Sequence, residues 1–274
     1  QVSMESDGSF YDLDNYVTTE GVTKEEDAIT AVVLGDLHLG QTCEKSLAIS
    51  KDMLNRFNPN HVVFHDIMDG YSVSHHERKD PFIALEREID ETWRLDVEVK
   101  NVVDFMKDYL DWNPVVVKSN HDVVVDRWLI DVDWRKEKNK YCYLKYGKLK
   151  ADQELPNGIL PYELHKAYGD KVTCLDINGS FKVNNVELAV HGHIGGGGSR
   201  GSAIQYKKLN TKLITAHTHS PLKVDNLLTV GTLTKLRLNY NDGMSSWFNA
   251  NGFVNKNGKT QLILIYPNKG YTTL

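Results

Sequence analysis

The chain has 274 residues, 41% hydrophobic and 25% charged, with a net charge of −5; this is ample for a packed core and ordinary for a globular domain. No apolar run approaches the roughly 20 residues that span a bilayer, nothing resembles a secretory signal, and the net charge argues against coating nucleic acid by bulk electrostatics. Three scattered cysteines, Cys43, Cys142 and Cys174, form neither a metal-type cluster nor a disulfide framework and read as reduced thiols in a cytosol-like compartment.

Residues 1–27 are polar and acidic, broken by Gly8 and Gly21, and predict an extended or loosely packed arm ahead of one domain over 28–274. The chain begins with Gln1 rather than Met, which leaves room for an upstream segment. Residues 29–34 are a β-branched apolar run, the pattern of a buried strand, and Asp36 and His38 follow it. A second apolar stretch over 61–64 leads to Asp66. Apolar residues then recur at helical spacing from Phe82 through Leu110, predicting a long helix over 81–112, with room for an interruption, that returns the chain to a parallel strand. That strand, 115–117, runs into Asn120-His121-Asp122.

Between 135 and 150 lie seven basic residues and one acid, with Tyr141, Tyr143 and Tyr146 interleaved. Such a stripe can track a phosphate backbone and stack bases, or can be an ordinary solvated surface. Beyond it the pattern changes to short strands: 181–188 reads as a hairpin turning at Asn184-Asn185, 186–190 runs into His191, 212–215 runs into His217-Thr218-His219, and strands follow at 227–233 and 262–266. Residues 195–198 are four successive glycines.

Five times a short strand ends and metal-capable side chains follow at once, the position where α/β folds gather ligand sites. Asp36 and His38, two apart in extended chain, point the same way. Carboxylate and imidazole suit borderline divalent ions. Asp66 can offer one oxygen to each of two metals, Asn120 a neutral carbonyl, and His191, His217 and His219 further imidazoles. Two ions about 3.5–4 Å apart can hold a bridging hydroxide and clamp a phosphoryl group for in-line attack.

The ordered set Asp-x-His, Asp-x-x-Asp, Asn-His-Asp, His-Gly and His-x-His, spread over residues 32 to about 235, resembles the calcineurin-like metallophosphoesterase family. The resemblance implies an α/β fold of two mixed β-sheets packed as a sandwich flanked by helices, with the metals at one edge. It implies that Asp36, His38, Asp66 and His219 bind one metal, that Asp66 bridges, and that Asn120, His191 and His217 complete the second site. His121 would contact the phosphoryl group and protonate the leaving oxygen, Asp122 would orient it, and Asp69 would support the bridging loop from behind. Three positions depart from the family pattern, which carries glycine where His65, Ser119 and Ala216 stand here. The cofactors implied are two divalent ions, Mn²⁺ first, with Fe, Zn or Mg as alternatives.

The tract from His191 through the glycines to Ala203, with the later stretch from Leu238 to Trp247, is similar to phage-encoded members of the family, among them phage DNases, with Mre11-type nucleases more distant. DNA is then the expected substrate, the bacterial host cytoplasm the expected location, and no membrane is involved; a homo-oligomer is compatible with the sequence. Arg200 on the glycine loop, His193 two residues past His191, and His75 and His76 after the bridging loop are expected substrate contacts. A phosphatase or phosphodiesterase of small or nucleotide esters is the alternative enzyme, and a non-catalytic binding or regulatory protein the alternative of another class.

Overall fold

The structure is a computed structural model describing residues 8–74, 80–238, 241 and 243–273. In chain order its strands are β1 (Phe10–Asp12), β2 (Asn15–Thr18), β3 (Gly21–Lys24), β4 (Ile29–Val33), β5 (His61–Phe64), β6 (Val115–Val116), β7 (Thr173–Cys174), β8 (Lys182–Val183), β9 (Val186–Glu187), β10 (Leu213–Thr215), β11 (Leu222–Val224), β12 (Leu227–Thr229), β13 (Ala250–Asn255), β14 (Thr260–Tyr266) and β15 (Gly270–Thr273). The helices are α1 (Glu44–Phe57), α2 (Pro81–Ile89), α3 (Leu95–Met106), α4 (Asn120–Asp131), α5 (Lys140–Ala151), α6 (Ile159–Tyr168) and α7 (Ala203–Lys207).

Side-chain alternation along β4 organises the molecule. Successive residues of a strand face opposite ways, so Ala31 and Val33 point to one side while Val32 and Leu34 point to the other. The strand lies in a seven-stranded mixed sheet of order β15-β14-β13-β4-β5-β6-β7, with β4 to β7 parallel and β13 antiparallel to β4. Ala31, Val33, Val63, Val115 and Val117 meet Val186, Leu188, Ile214, Leu228 and Val230 of a second sheet, order β11-β12-β10-β9-β8. Val32, Leu34, Val62, Phe64 and Val116 instead meet buried residues of α1, α3, α4 and α6, among them Leu54, Val102, Trp128 and Leu164. Tyr206 of α7 packs with Leu213 and Leu227 in a small separate cluster. The result is an α/β sandwich of two mixed sheets flanked by helices, as expected.

One expectation is corrected and one, the interruption allowed in the long helix, is met. Residues 10–24 are no loose arm: β1, β2 and β3 form an antiparallel sheet. Tyr11 is buried in it, and Gln261 of β14 bonds both the Leu13 amide and the Leu13 carbonyl. The helix over 81–112 is broken between α2 and α3, where Glu91 takes a left-handed backbone (φ 54°), and ends in a 3-10 turn, Lys107–Trp112. The break leaves Phe82, Leu85 and Ile89 of α2 outside the core, 57–76% exposed.

The basic stretch over 135–150 is mostly neutralised by neighbouring acids: Arg135 pairs with Asp133, Lys138 with Glu88, Lys145 with Glu163 and Lys148 with Asp152. Tyr146 is buried and Tyr143 packs against Trp128 and Trp134, so these rings belong to the fold rather than to a stacking surface. The cysteines are free. Among the described residues no helix is long and apolar enough to cross a membrane.

Gly35 lets β4 end where it must. A Cβ there would lie 2.8 Å from the Ala250 carbonyl oxygen and 3.0 Å from that of Gly231, and the Gly35 amide donates to Asn251 Oδ1 at 3.0 Å. Gly35→Ala should cost about 1–3 kcal/mol by overpacking, read as a lower thermal midpoint.

Candidate metal centre

Parallel strands place their carboxyl ends side by side. The segments after β4, β5 and β6 deliver Asp36 with His38, Asp66 and Asn120, while those after β9 and β10 deliver His191 and His217 with His219. The loops are stitched by their own backbones: His38 N donates to Asp66 O at 2.7 Å, Leu37 N to His65 O at 3.4 Å, Asp36 N to Gly231 O at 3.2 Å and Ala216 N to His191 O at 2.8 Å. His38, Asp66, His217 and His219 all have positive φ, 41–73°. Left-handed backbone at a non-glycine residue costs about 1–2 kcal/mol, and its concentration here marks a site that the surrounding structure over-determines.

The side chains converge in two donor sets. In the first, Asp36, His38, Asp66 and His219 bring one ligand atom each within 4.8 Å of one another. His38 Nε2 lies 3.1 Å from His219 Nε2 and 3.7 Å from Asp66 Oδ2, and His219 Nε2 lies 3.3 Å from Asp36 Oδ2. In the second, His191 Nε2 lies 3.1 Å from Asp66 Oδ2 and 2.8 Å from Asn120 Oδ1, which in turn lies 3.0 Å from His217 Nδ1. Ligands at about 2.1 Å from a common ion stand roughly 3.0–3.4 Å apart in tetrahedral or octahedral geometry, and four of these six separations fall in that range.

One detail differs from the sequence-based expectation. A single oxygen of Asp66, Oδ2, faces both sets, whereas Oδ1 accepts from the His121 amide at 3.4 Å. The carboxylate therefore does not divide its two oxygens between the sets.

The surroundings shift these groups in different directions. Asp69 Oδ1 lies 2.9 Å from His38 Nδ1; the carboxylate accepts, Nδ1 carries the proton, and the Nε2 lone pair is turned into the cluster, the usual arrangement of a metal-ligating imidazole. Burial, and next the charge on neighbouring histidines, pushes His217 down to about 4 and His219 to about 3, keeping both neutral, as ligation requires. Burial raises Asp36 to about 7 against the pull of His191, with Asp66 adding to the rise. Burial acts the same way on Asp66, but His191, His121 and His38 together hold it well below its ordinary value. Asp36 Oδ1 and the Nδ1 atoms of His191 and His219 are buried without a hydrogen-bond partner. Such groups are costly unless something satisfies them; an ion held by the Nε2 atoms would not reach the Nδ1 atoms of the same rings, but it could take Asp36 Oδ1, and the carboxylate and imidazole donors of both sets fit divalent ions.

His121 Nδ1 lies 2.5 Å from the Asp69 carbonyl oxygen and 3.6 Å from Asp69 Oδ1. A carbonyl only accepts, so Nδ1 holds a proton and Nε2 is the atom available to a substrate. Burial alone would lower this histidine's pKa, but the carboxylates of Asp66 and Asp69 lift it above the ordinary value. The contact expected of Asp122 is thus made by Asp69. Asp122 instead closes a capping box at the start of α4, its Oδ2 accepting from Ser119 N and Oγ at 3.0 and 2.9 Å.

The three non-glycine departures have physical roles of their own. Ser119 is that cap, Ala216 packs in the sandwich core, and His65, fully buried, stacks on His191 with ring centroids 5.5 Å apart.

Of the expected substrate contacts, His193 sits 5.2 Å from the His191 ring and 6.0 Å from the His217 ring. It faces a second cavity, of about 560 Å³, together with Gly192, Gly195 and Tyr206. Arg200 is exposed on the glycine loop, close enough for its charge to lower the His217 pKa slightly. His75 and His76 lie outside the described residues. A cavity of about 770 Å³ opens over Asp66, Asn120, His121, His217 and His219. Tyr71, Lys235 and Arg237, which the sequence reading passed over, line it; nothing in their local pattern signals that two remote loops meet there.

No family model matches the chain. Protein A1 of Escherichia phage T5 is 30% identical over 280 aligned positions, which cover 95% of this chain and 50% of A1; the chain spans about half the length of that curated relative. Among solved structures, the nuclease MPE of Pseudomonas putida is 10% identical with a TM-score of 0.39, covering 100% of this chain and 99% of its own. A second is 12% identical with a TM-score of 0.42, covering 86% of this chain and 98% of its own. Both superpositions are too loose to carry an argument.

Two outcomes are expected from substitutions here. Asp66→Ala, which touches both donor sets, should cut metal retention further than Asn120→Ala, which touches one, measured as Mn²⁺ per chain by mass spectrometry after loading and desalting. Asp122→Ala should remove about 1 kcal/mol of helix capping, lowering the thermal midpoint by about 2–4 °C.

Proposed function

We propose that the chain is a dinuclear metal-dependent phosphodiester hydrolase of the calcineurin-like type, and that its substrate is DNA. The observation that carries the reading is the position of Asp66 Oδ2, within 3.1 Å of His191 and 3.7 Å of His38, between the two donor sets. Asp36, His38 and His219 would complete one ion's shell, and Asn120, His191 and His217 the other's. Bound there, two divalent ions would supply Lewis-acid neutralisation of the charge that develops on the phosphoryl oxygens.

The protein's own groups account for the remaining chemistry. His121, carried at the start of α4 beside Asn120, presents Nε2 toward the cavity that it lines. Asp66 and Asp69 favour its protonated form, so Nε2–H can give a proton to the departing ester oxygen. Asp69 fixes both His121 and His38, holding the proton donor and a metal donor in one orientation. Stitched loops and a left-handed backbone at four donors mean that little reorganisation remains when substrate arrives, which is where such sites gain rate.

The similarity to a phage protein favours a phage-type nuclease working in the bacterial host cytoplasm, and the cavity over the donors carries the cationic side chains of Lys235 and Arg237. Mn²⁺ is the ion proposed, since a mixed carboxylate and imidazole shell suits it.

Incubation of circular double-stranded and single-stranded DNA with the Mn²⁺-loaded protein tests the reading. Wild type should cleave, Asp66→Ala should fall to background, and His121→Ala should lose about 10²–10⁴-fold in kcat. Intact DNA beside turnover of a chromogenic phosphoester would transfer the assignment to small esters. Failure to retain any metal would leave a binding protein that keeps the fold.

A further inference from the structure

The cavity over the donor sets has a rim as well as a floor. Tyr71, Ile83 and Glu86 come from the segment after β5 and from α2, and Lys235, Arg237 and Leu238 from the segment between β12 and β13. None of these side chains belongs to the donor sets, and two features suit the rim to a polyanion.

The first is uncompensated charge. Several cations of this protein of net charge −5 face an acid: Lys51 pairs with Asp108, Lys100 with Asp104 and Lys207 with Asp225. Lys235 and Arg237 have no ion pair among the described residues. Arg237 Nη1 donates to two neutral carbonyls, Asn241 O at 3.2 Å and Gly243 O at 2.5 Å, which steady the group while leaving its full charge on the rim. The Lys235 amide donates to Gln41 O at 3.0 Å, next to Thr234, which is buried and bonded to Thr232. The backbone is anchored there and the side chain is exposed.

The second is a fixed aromatic ring. The Arg87 guanidinium carbon sits 3.9 Å from the Tyr71 ring centroid, and Glu98 accepts from the amides of Tyr71 and Ser72 at 3.1 and 3.0 Å. Tyr71 therefore meets the cavity as a pre-ordered surface, which costs little entropy to use. Cations that track phosphates beside an aromatic platform are the chemistry of single-strand nucleic-acid binding, whereas a mononucleotide or small ester would need contact at the donor sets alone.

We propose that Lys235 and Arg237 bind the phosphate next to the scissile one and that Tyr71 stacks on an adjacent base, so that the groove takes a polynucleotide strand over more than one nucleotide. This rests on the nuclease reading and gives it its substrate contacts.

The test is fluorescence anisotropy of a short labelled single-stranded oligonucleotide with the metal-free protein across a salt series, so that affinity is read without turnover. Lys235→Ala should weaken binding and reduce the slope of log affinity against log salt by about 0.7, the value of one phosphate contact. Because Arg237 also holds its loop, Lys235→Ala is the decisive cation variant. Tyr71→Ala should lose roughly ten-fold or more, and Tyr71→Phe, which keeps the stacking face, should bind as wild type does. An unchanged slope in Lys235→Ala, or Tyr71→Phe as weak as Tyr71→Ala, overturns the proposal, and if wild type still cleaves DNA the nuclease reading survives that loss. If wild type neither binds the oligonucleotide nor cleaves DNA, the nuclease reading itself falls and takes the groove with it.

Discussion

A buried carboxylate that must serve two clusters at once is the constraint on which this structure turns. Asp66 is 2% exposed and faces His38 on one side and His191 on the other through the same oxygen. Isolated, such a charge would be expensive to bury; here three histidines hold it ionised. Its partners arrive from both sheets, so the sandwich has to bring the carboxyl ends of its strands to one edge before the site exists. The parallel run from β4 through β6, the parallel pairing of β9 with β10, and the valine-rich layer between the sheets all serve that convergence.

Local strain is the cost of the convergence. Four donors take left-handed backbone, and buried polar atoms of Asp36, His191 and His219 lack partners. The framework that offsets this is polar as well as apolar. Asn249 and Asn251 of β13 and its approach bond Ser46 and Ser50 of α1, the Gly35 amide and the carbonyls of Thr232 and Thr234. These satisfied buried bonds fix the ends of β4 and β12 relative to α1, with little freedom for the Asp36 loop to relax away from the centre.

Much of this was legible from the chain alone, and the reason is periodicity. The apolar runs at 29–34 and 61–64 read as buried strands, and the donor residues stood immediately after them. The Asn184-Asn185 turn was equally plain, because both residues tolerate the positive φ they adopt. Less was legible where packing overrides pattern. The helical spacing from Phe82 onward allowed an interruption but did not show that, with the break at Glu91, α2 would turn its apolar side chains outward. The acidic N-terminal stretch offered no strand pattern, and it is held as a sheet by Gln261 and by burial of Tyr11.

Residue identity and spacing by themselves determined which side chains have the chemistry to hold divalent ions and that they cluster at strand ends, since a ligand's donor atom and a strand's alternation are local properties. Tertiary structure decided how they share the work. It turned one oxygen of Asp66 toward both sets, assigned Asp69 rather than Asp122 to His121, and set Lys235 and Arg237 on one cavity with Tyr71. Those are distances between segments remote in the chain, and a local pattern carries no information about them.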